Sequence, residues 1–370
     1  MSRRYELNFR QEEISYIMQK WTASSSCSLV GVGSVGKSNL LHHLITPEVQ
    51  AHYIPNVAEK VKPIIIDANL LGALPALTSD TEPFRCWAGY ELLMHRLFTS
   101  FYPFDVLEEA DARQFYEVYQ MLQDGTNPLF TYMGVRYFEL GLEFFMRKGI
   151  RIVFIFDEFE ELLRQIPPKF FQTLRGIRDS HKSQISYLTF TRAPLPVVVE
   201  RLGIDLLHIE AFIELFNDNV VYVGPYNDVD AWNMLLELAR KNRTAYSQPV
   251  LITLMQASGR YAGLMRAGFF ALETLTNINL SDQTVDSLAA ALLTRMSIQT
   301  ECRTIWLSLT LPEQHMLKAI AGLLPFTMSP EAQLTINMLV KKRLVHVDTN
   351  PQGLHIEPPV FRVFVQSDPE

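Results

Sequence analysis

Short apolar runs alternate with stretches of helical periodicity over the first 225 residues of the chain. Five runs are present, at residues 26–33, 63–67, 151–156, 185–191 and 220–223. Their apolar residues are continuous rather than alternating, and amphipathic helices are predicted between them. This pattern is typical of a parallel sheet that is covered by helices on both faces. It therefore predicts an α/β domain over residues 1–225.

The pattern changes after Gly224-Pro225. Four segments with helical periodicity follow, with no strand among them: residues 228–240, 249–257, 261–276 and 284–297. Amphipathic helices in series predict a helical domain over residues 226–297.

The segment from 298 to 370 has a third pattern. Two helices are predicted over residues 311–323 and 330–343, and two strands over 344–348 and 354–357. A Thr-Asn-Pro-Gln-Gly turn separates the strands, as in a hairpin. Two helices followed by a two-stranded wing predict a winged helix-turn-helix.

Composition narrows the class of protein. The 370 residues are 48% apolar and 20% charged, which is typical of a globular protein. With 33 Lys and Arg against 40 Asp and Glu, the net charge of −7 argues against sequence-independent binding to nucleic acid or anionic lipid, although a local basic face stays open.

The three cysteines, Cys27, Cys86 and Cys302, are too far apart to form a zinc or redox motif. The first residues contain no apolar run after their arginines, and no segment has the length of a membrane span. We therefore expect a cytoplasmic protein with no signal peptide and no membrane contact.

A glycine-rich motif lies between the first predicted strand and the first predicted helix. Gly31 to Ser38 have the pattern G-x-x-x-x-G-K-S, in the strand and helix context that a phosphate-binding loop requires. Its backbone N–H groups would hold phosphates at a helix N-terminus, Lys37 would neutralise the β and γ phosphates, and Ser38 would join the Mg²⁺ shell. The predicted nucleotide contacts are Gly31, Val32, Gly33, Ser34, Val35, Gly36, Lys37, Ser38 and Asn39.

The strand at 152–156 ends in Asp157-Glu158. Because desolvating an unpaired carboxylate is expensive, two acids at the end of a buried strand favour a cation or substrate site. We predict that Asp157 holds Mg²⁺ and that Glu158 polarises the attacking water. The alternative is a solvated strand end that leads into an acidic helix.

The next predicted strand ends at Thr191-Arg192. In a parallel sheet the carboxyl ends of the strands face the ligand crevice, so both residues are expected near the γ-phosphate, where Arg192 would respond to its presence. A surface arginine after a strand is the alternative for Arg192.

These motifs together resemble the AAA+/STAND branch of P-loop ATPases, the signal-transduction NTPases related to NB-ARC proteins and to archaeal origin-binding ATPases. Residues 8–14 resemble the F-x-G-R-x-x-E-I motif without its glycine, which implies a nucleotide contact for Arg10. Residues 223–226 resemble the L-x-P-L turn into the lid, which implies a nucleotide contact for Pro225. Residues 258–264 resemble the G-G-x-P-x-L segment of the lid, but Arg260 replaces the second glycine and Ala262 the proline.

The resemblance implies a P-loop NTPase domain with a helical lid and a C-terminal winged helix. It also implies a switch that binds ATP and Mg²⁺ and hydrolyses ATP slowly or on stimulation by a partner. Such a switch is expected to self-associate when ATP binds and to act on a separate effector or sensor protein. An arginine supplied in trans is expected in such ATPases, and Arg178 is our candidate. A cation placed at a helix end is the alternative for Arg178.

The winged helix leaves two functions open. Residues 300–370 contain six Lys or Arg and seven Asp or Glu, whereas a DNA-reading domain is usually distinctly basic. Its second helix offers only Gln333, Thr335 and Asn337 to base edges, and its cations cluster at the far end. We therefore favour an internal packing or protein-contact role, with a DNA-binding initiator or loader ATPase as the alternative.

Overall fold

The computed structural model describes residues 5–275, 279–349 and 352–369. The chain divides into two compact units. We call the first the sheet unit, which comprises Glu12–Leu29 and Leu44–Val221, and the second the loop unit, which comprises residues 5–11, Val30–His43 and 222–369.

Five strands form one sheet: β1 Cys27–Val30, β2 Val61–Asp67, β3 Arg151–Asp157, β4 Ile185–Thr191 and β5 Val220–Tyr222. Their order is β2-β3-β4-β1-β5, and β2, β3 and β4 pair in parallel. The predicted parallel α/β sheet is confirmed. β3 and β4 are almost wholly buried, which explains their continuous apolar sequences.

Helices before β5 are α1 Gln11–Thr22, α2 Lys37–Leu44, α3 Pro47–Tyr53, α4 Glu82–Phe101, α5 Glu109–Gln123, α6 Phe130–Met146, α7 Phe159–Gln165, α8 Pro168–Ser180, α9 Leu195–Arg201 and α10 Glu210–Ile213. Three of them, α4 to α6, lie in the sequence between β2 and β3. Their apolar faces form one core with the sheet, in which Phe115, Phe138 and Phe154 are fully buried.

The loop unit contains α11 Asp228–Asn242, α12 Gln248–Ala257, α13 Ala262–Leu272, α14 Val285–Leu293, α15 Met296–Leu307, α16 Leu311–Ile320, α17 Pro330–Lys341 and α18 Pro359–Gln366, with the hairpin β6 Val345–Thr349 and β7 Gln352–Ile356. The helical lid and winged helix are therefore present. Helices α15 and α18 were not predicted. Thr276, Asn350 and Pro351 from the predicted elements lie outside the described residues.

The predicted division at 1–225, 226–297 and 298–370 stays a prediction. One arrangement was not indicated by the sequence: the phosphate-binding motif belongs to the same compact unit as the lid and the winged helix. Within the described ranges, no helix is both long enough and apolar enough to span a membrane.

A buried ion pair joins α16 to α17 in the winged helix. The Nζ atom of Lys342 lies 2.7 Å from Oε1 of Glu313, and their side chains are only 1% and 4% exposed. Glu313 also closes the capping box at the start of α16, because its Oε2 accepts from the backbone N–H of Thr310 at 2.8 Å. Removal of Lys342 alone would therefore leave the carboxylate of Glu313 buried without its counter-ion.

We expect the Lys342→Met substitution to lower the free energy of unfolding of the loop unit by about 3 to 5 kcal/mol, because it leaves Glu313 as a buried unpaired charge. Urea unfolding followed by circular dichroism measures the change. The matched control is Lys341→Met. Because Lys341 is exposed, this substitution should lower the free energy of unfolding by less than about 1 kcal/mol. Equal effects of the two substitutions would contradict the assignment.

Candidate functional site

The G-x-x-x-x-G-K-S motif forms a turn between the end of β1 and the start of α2. Ser34 and Gly36 have positive φ angles of 68° and 93°. Left-handed residues within such a turn create a concave row of N–H groups that suits an anion. The Nζ atom of Lys37 donates to the carbonyl oxygens of Gly31 and Val32, so its positive charge lies at the same turn. These groups are a donor set for phosphate.

Arg10 ties this phosphate loop to the start of the lid. Its side chain is 2% exposed, and Nη2 donates to the carbonyl oxygens of Val35 at 2.7 Å and Gly224 at 2.9 Å. The guanidinium lies 4.7 Å from the ring centroid of Tyr226, and the backbone N–H of Arg10 donates to Asp230 at 3.0 Å. In this structure Arg10 therefore holds the loop backbone in position.

Tyr226 packs on the other side of the motif. Its hydroxyl oxygen accepts from Nδ2 of Asn39 at 2.8 Å. A Cβ atom added at Gly36 would lie 3.0 Å from that hydroxyl and 3.0 Å from Cβ of Ala262. Glycine is therefore required at position 36 by space as well as by its φ angle.

The N-terminus of α13 also binds the loop. The backbone N–H of Gly263 donates to the carbonyl of Ser34 at 2.9 Å, and that of Leu264 donates to Oγ of Ser34 at 3.1 Å. First-turn N–H groups have no partner within their own helix, so Ser34 satisfies two of them. Residues 258–264 thus contact the phosphate loop despite the departures from the family pattern.

Arg260 occupies the position at which that pattern has glycine, and its φ angle is +63°. Glycine favours this left-handed region, whereas a side chain there is strained. The backbone carbonyl of Arg260 accepts from the N–H of Tyr226 at 3.0 Å, and its guanidinium pairs with Asp228 at 2.6 Å. These contacts keep the turn in place.

Helix α15 lies directly against the loop. A Cβ atom added at Gly33 would lie 2.5 Å from Cγ2 of Thr304 and 2.8 Å from the carbonyl oxygen of Thr304. A Cβ atom at Gly263 would collide with both Oε2 of Glu301 and Oγ of Ser34. The sequence analysis missed Glu301 and Thr304, although Ile298, Cys302 and Ile305 have a helical spacing that indicates α15.

In the sheet unit, the structure brings together Asp157, Glu158 and Arg192. Nη2 of Arg192 lies 3.5 Å from Oε1 of Glu158, and the backbone N–H of Arg192 donates to Glu160. Oδ1 of Asp157 accepts from the N–H of Glu158 at 3.1 Å, and Glu158 has a positive φ of 46°. Arg192 is therefore a partner of the carboxylate that was predicted to polarise water.

Asp67 was not singled out from the sequence. It ends β2 and pairs in register with Asp157 at the end of β3, so two carboxylates lie side by side at this edge of the sheet. Oδ1 of Asp67 accepts from both the backbone and the side-chain nitrogen of Asn69 at 2.9 Å. The acidic end of the predicted strand at 63–67 was the signal that could have found it.

Two predicted residues make other contacts. Thr191 is fully buried, and its hydroxyl donates to the carbonyl of Leu29 in β1 at 3.4 Å. The side chain of Arg178 is only 18% exposed and lies 3.6 Å from Oδ1 of Asp179. This placement favours the helix-end alternative for Arg178, and its role in trans stays a prediction.

Pro225 lines a cavity of about 770 Å³ in the loop unit, together with Arg260, Arg343 and His346. The described residues contain no cluster of three His, Cys, Asp or Glu side chains that could hold a metal ion. Mg²⁺ is usually held by one or two protein oxygens together with substrate phosphates, and the roles of Ser38 and Asp157 in such a site stay a prediction.

All three cysteines are buried, and burial raises the pKa of each thiol to about 12. The nearby carboxylate of Glu301 adds a smaller increase to the pKa of Cys302. Nucleophilic chemistry by cysteine is therefore not favoured in this chain.

Comparison with known proteins gives the fold. No protein-family model and no curated protein matches the sequence. The structure is similar to a Walker-type ATPase of Pyrococcus abyssi, with 15% identity, a TM-score of 0.53, and coverage of 97% of this chain and 96% of that one. It is also similar to the ORC2 protein of Aeropyrum pernix, solved as ADPNP-ADP complexes, with 12% identity, a TM-score of 0.54, and coverage of 99% and 96%. The chain thus has the fold of AAA+ P-loop ATPases.

We expect Arg10→Met to lower the free energy of unfolding by about 3 kcal/mol, since the buried carbonyl of Val35 and the partly buried carbonyl of Gly224 lose a charged donor. Thermal and urea unfolding measure the change. Arg266→Met is the matched control, because Arg266 is exposed and makes no hydrogen bond or ion pair with any described residue. If both variants unfold alike, Arg10 does not hold the loop.

Proposed function

We propose that the protein is an ATP-dependent molecular switch that binds Mg·ATP at the phosphate loop and hydrolyses it. One observation carries this proposal: Arg10, the turn after β5, the start of α13 and helix α15 all contact the same loop. A phosphate bound there changes the charge that all of these segments face. Such local changes in charge are how nucleotide switches bias larger rearrangements.

Each residue of the motif has a role in this proposal. The loop N–H groups and Lys37 hold the β and γ phosphates, while Ser38 and Asp157 hold Mg²⁺, which neutralises phosphate charge when bound. Glu158 polarises the attacking water, and Arg192 positions Glu158, its neighbour in the structure. Asn39 and Pro225 complete the predicted nucleotide contacts. The complexes of the similar ORC2 protein, with ADPNP and ADP, support an adenine nucleotide.

Lys37→Ala should abolish binding of a fluorescent ATP analogue, because the loop loses its cation. Glu158→Gln should bind the analogue at the parental affinity but lose most ATP hydrolysis, since the amide cannot polarise water. Titration and phosphate release measure the two effects. Glu161→Gln, in the first turn of the helix that follows Glu158, is the control, because the carboxylate of Glu161 pairs with Arg164 of the same helix. Hydrolysis at the parental rate by Glu158→Gln removes the catalytic assignment.

The contacts of α17 support the packing role of the winged helix. Three cations lie at its end. Lys342 is buried in the pair with Glu313. Arg343 packs against Gly224, at which an added Cβ atom would lie only 3.1 Å from Cγ of Arg343. Lys341 lies 5.6 Å from the ring centroid of Tyr222. Lys342 is therefore withdrawn from the phosphates of DNA, whereas Lys341 and Arg343 are exposed. The DNA-binding initiator or loader function is therefore the second candidate.

Light scattering distinguishes these candidates. We expect the protein to assemble with Mg·ATP, and the Glu158→Gln form to assemble further, with no effect of added duplex DNA. ADP should leave the mass unchanged. A protein effector or sensor would then be sought. Assembly that occurs only with DNA and weakens steeply with salt would contradict this and favour the initiator function.

A further inference from the structure

Helix α15 covers part of the loop that the proposed function assigns to phosphate. Gly31, Val32 and Gly33 are buried, and the backbone of α15 at Thr304 lies in contact with Gly33. Glu301, one turn earlier on the same helix, reaches the space beside Ser34 and Gly263. Residues three apart lie on one face of a helix, so a single face of α15 makes both contacts.

Beside the methyl group of Thr304, the polar groups that α15 presents to the loop are acceptors. They are the carbonyl oxygen of Thr304 and the carboxylate of Glu301. Phosphate oxygens are also acceptors, and they carry negative charge. Because like charges repel and two acceptors cannot share a hydrogen bond, a phosphate and this face of α15 oppose each other at the loop.

The charge of Glu301 is not neutralised by a neighbour. Its carboxylate makes no hydrogen bond or ion pair with any described residue, and the side chain is half-buried. Partial burial lowers the effective dielectric, so the carboxylate acts on the loop more strongly than it would in bulk water.

We propose that α15 is a latch on the phosphate loop, which a nucleoside triphosphate must displace, and that the carboxylate of Glu301 opposes this displacement. The proposal rests on the proposed function. Three other contacts of the loop are made by donors: the side chain of Arg10 and the backbone N–H groups of Gly263 and Leu264 give protons to its oxygen atoms. Those three contacts are compatible with an anion, unlike the acceptors of α15.

The latch is connected to the C-terminal helices through Trp306, which is 2% exposed. Its ring lies 6.5 Å from that of Phe364 in α18, and Lys318 of α16 lies 5.8 Å from its centroid. Its carbonyl accepts from Nε2 of Gln314 at 2.9 Å. Displacement of α15 would therefore alter the packing of α16 and α18.

The first test is equilibrium titration of the full chain with fluorescent mant-ATP and Mg²⁺. Glu301→Gln keeps the size of the side chain, removes its charge, and should tighten binding about ten-fold. This gain in affinity should decrease as the salt concentration is raised, because screening weakens the repulsion between Glu301 and phosphate in the parent. Glu273→Gln is the control, since Glu273 is exposed and lies about 16 Å along α13 from its start at Ala262.

The second test is stopped-flow binding at rising mant-ATP concentration. If α15 must leave first, the observed rate reaches a plateau set by its opening, and Glu301→Gln raises that plateau. A rate that rises linearly without limit would overturn the latch. Unchanged or weaker binding by Glu301→Gln would overturn the role of the carboxylate.

Failure of the proposed function gives a different result. In that case the parent, Glu301→Gln and Lys37→Ala all fail to bind mant-ATP. Binding by the parent that Lys37→Ala abolishes and Glu301→Gln leaves unchanged would retain the proposed function and reject the latch.

Discussion

The loop unit depends on the hydrogen bonds that satisfy the polar backbone groups of the phosphate loop. A glycine-rich turn offers many backbone oxygens and few side chains to cover them, and burying such groups without partners is costly. Arg10 donates to Val35, α13 donates to Ser34, and Lys37 donates to Gly31. Each of these interactions gives a proton to an oxygen atom of the loop, which is the arrangement that keeps a concave N–H surface suited to an anion.

Much of the sheet unit could be predicted from local sequence. The continuous apolar runs at 151–156 and 185–191 became β3 and β4 because both are buried on both faces. The phosphate loop was predictable for a related reason, since its glycines and Lys37 are adjacent in the chain. Asp157 and Glu158 followed from the strand end. Local patterns thus identified strands and turns that are formed within one short segment.

The contacts between distant segments could not be predicted in this way. Arg10 contacts residues 25 and 214 positions away, and nothing in its own segment indicates either carbonyl. Helix α15 lies at the position of a predicted domain boundary, so the sequence predicted neither a helix at Glu301 nor its contact with the loop. At Arg260 the sequence departs from the family pattern, but backbone groups of Gly263 and Leu264 contact the phosphate loop independently of the side chain at 260.

The distribution of donors and acceptors around the loop has a consequence for how a switch could work. A ligand shifts an equilibrium only by the difference in its affinity for the two states. Arg10 and the N-terminus of α13 face the loop with positive charge, so a bound phosphate attracts them and favours the contacts that they already make. The acceptors of α15 are the exception. On the proposed latch, the differential energy is therefore concentrated at Glu301 and Thr304. Helix α15 packs against α13 of the lid and against α18, so its displacement would act on both parts of the loop unit.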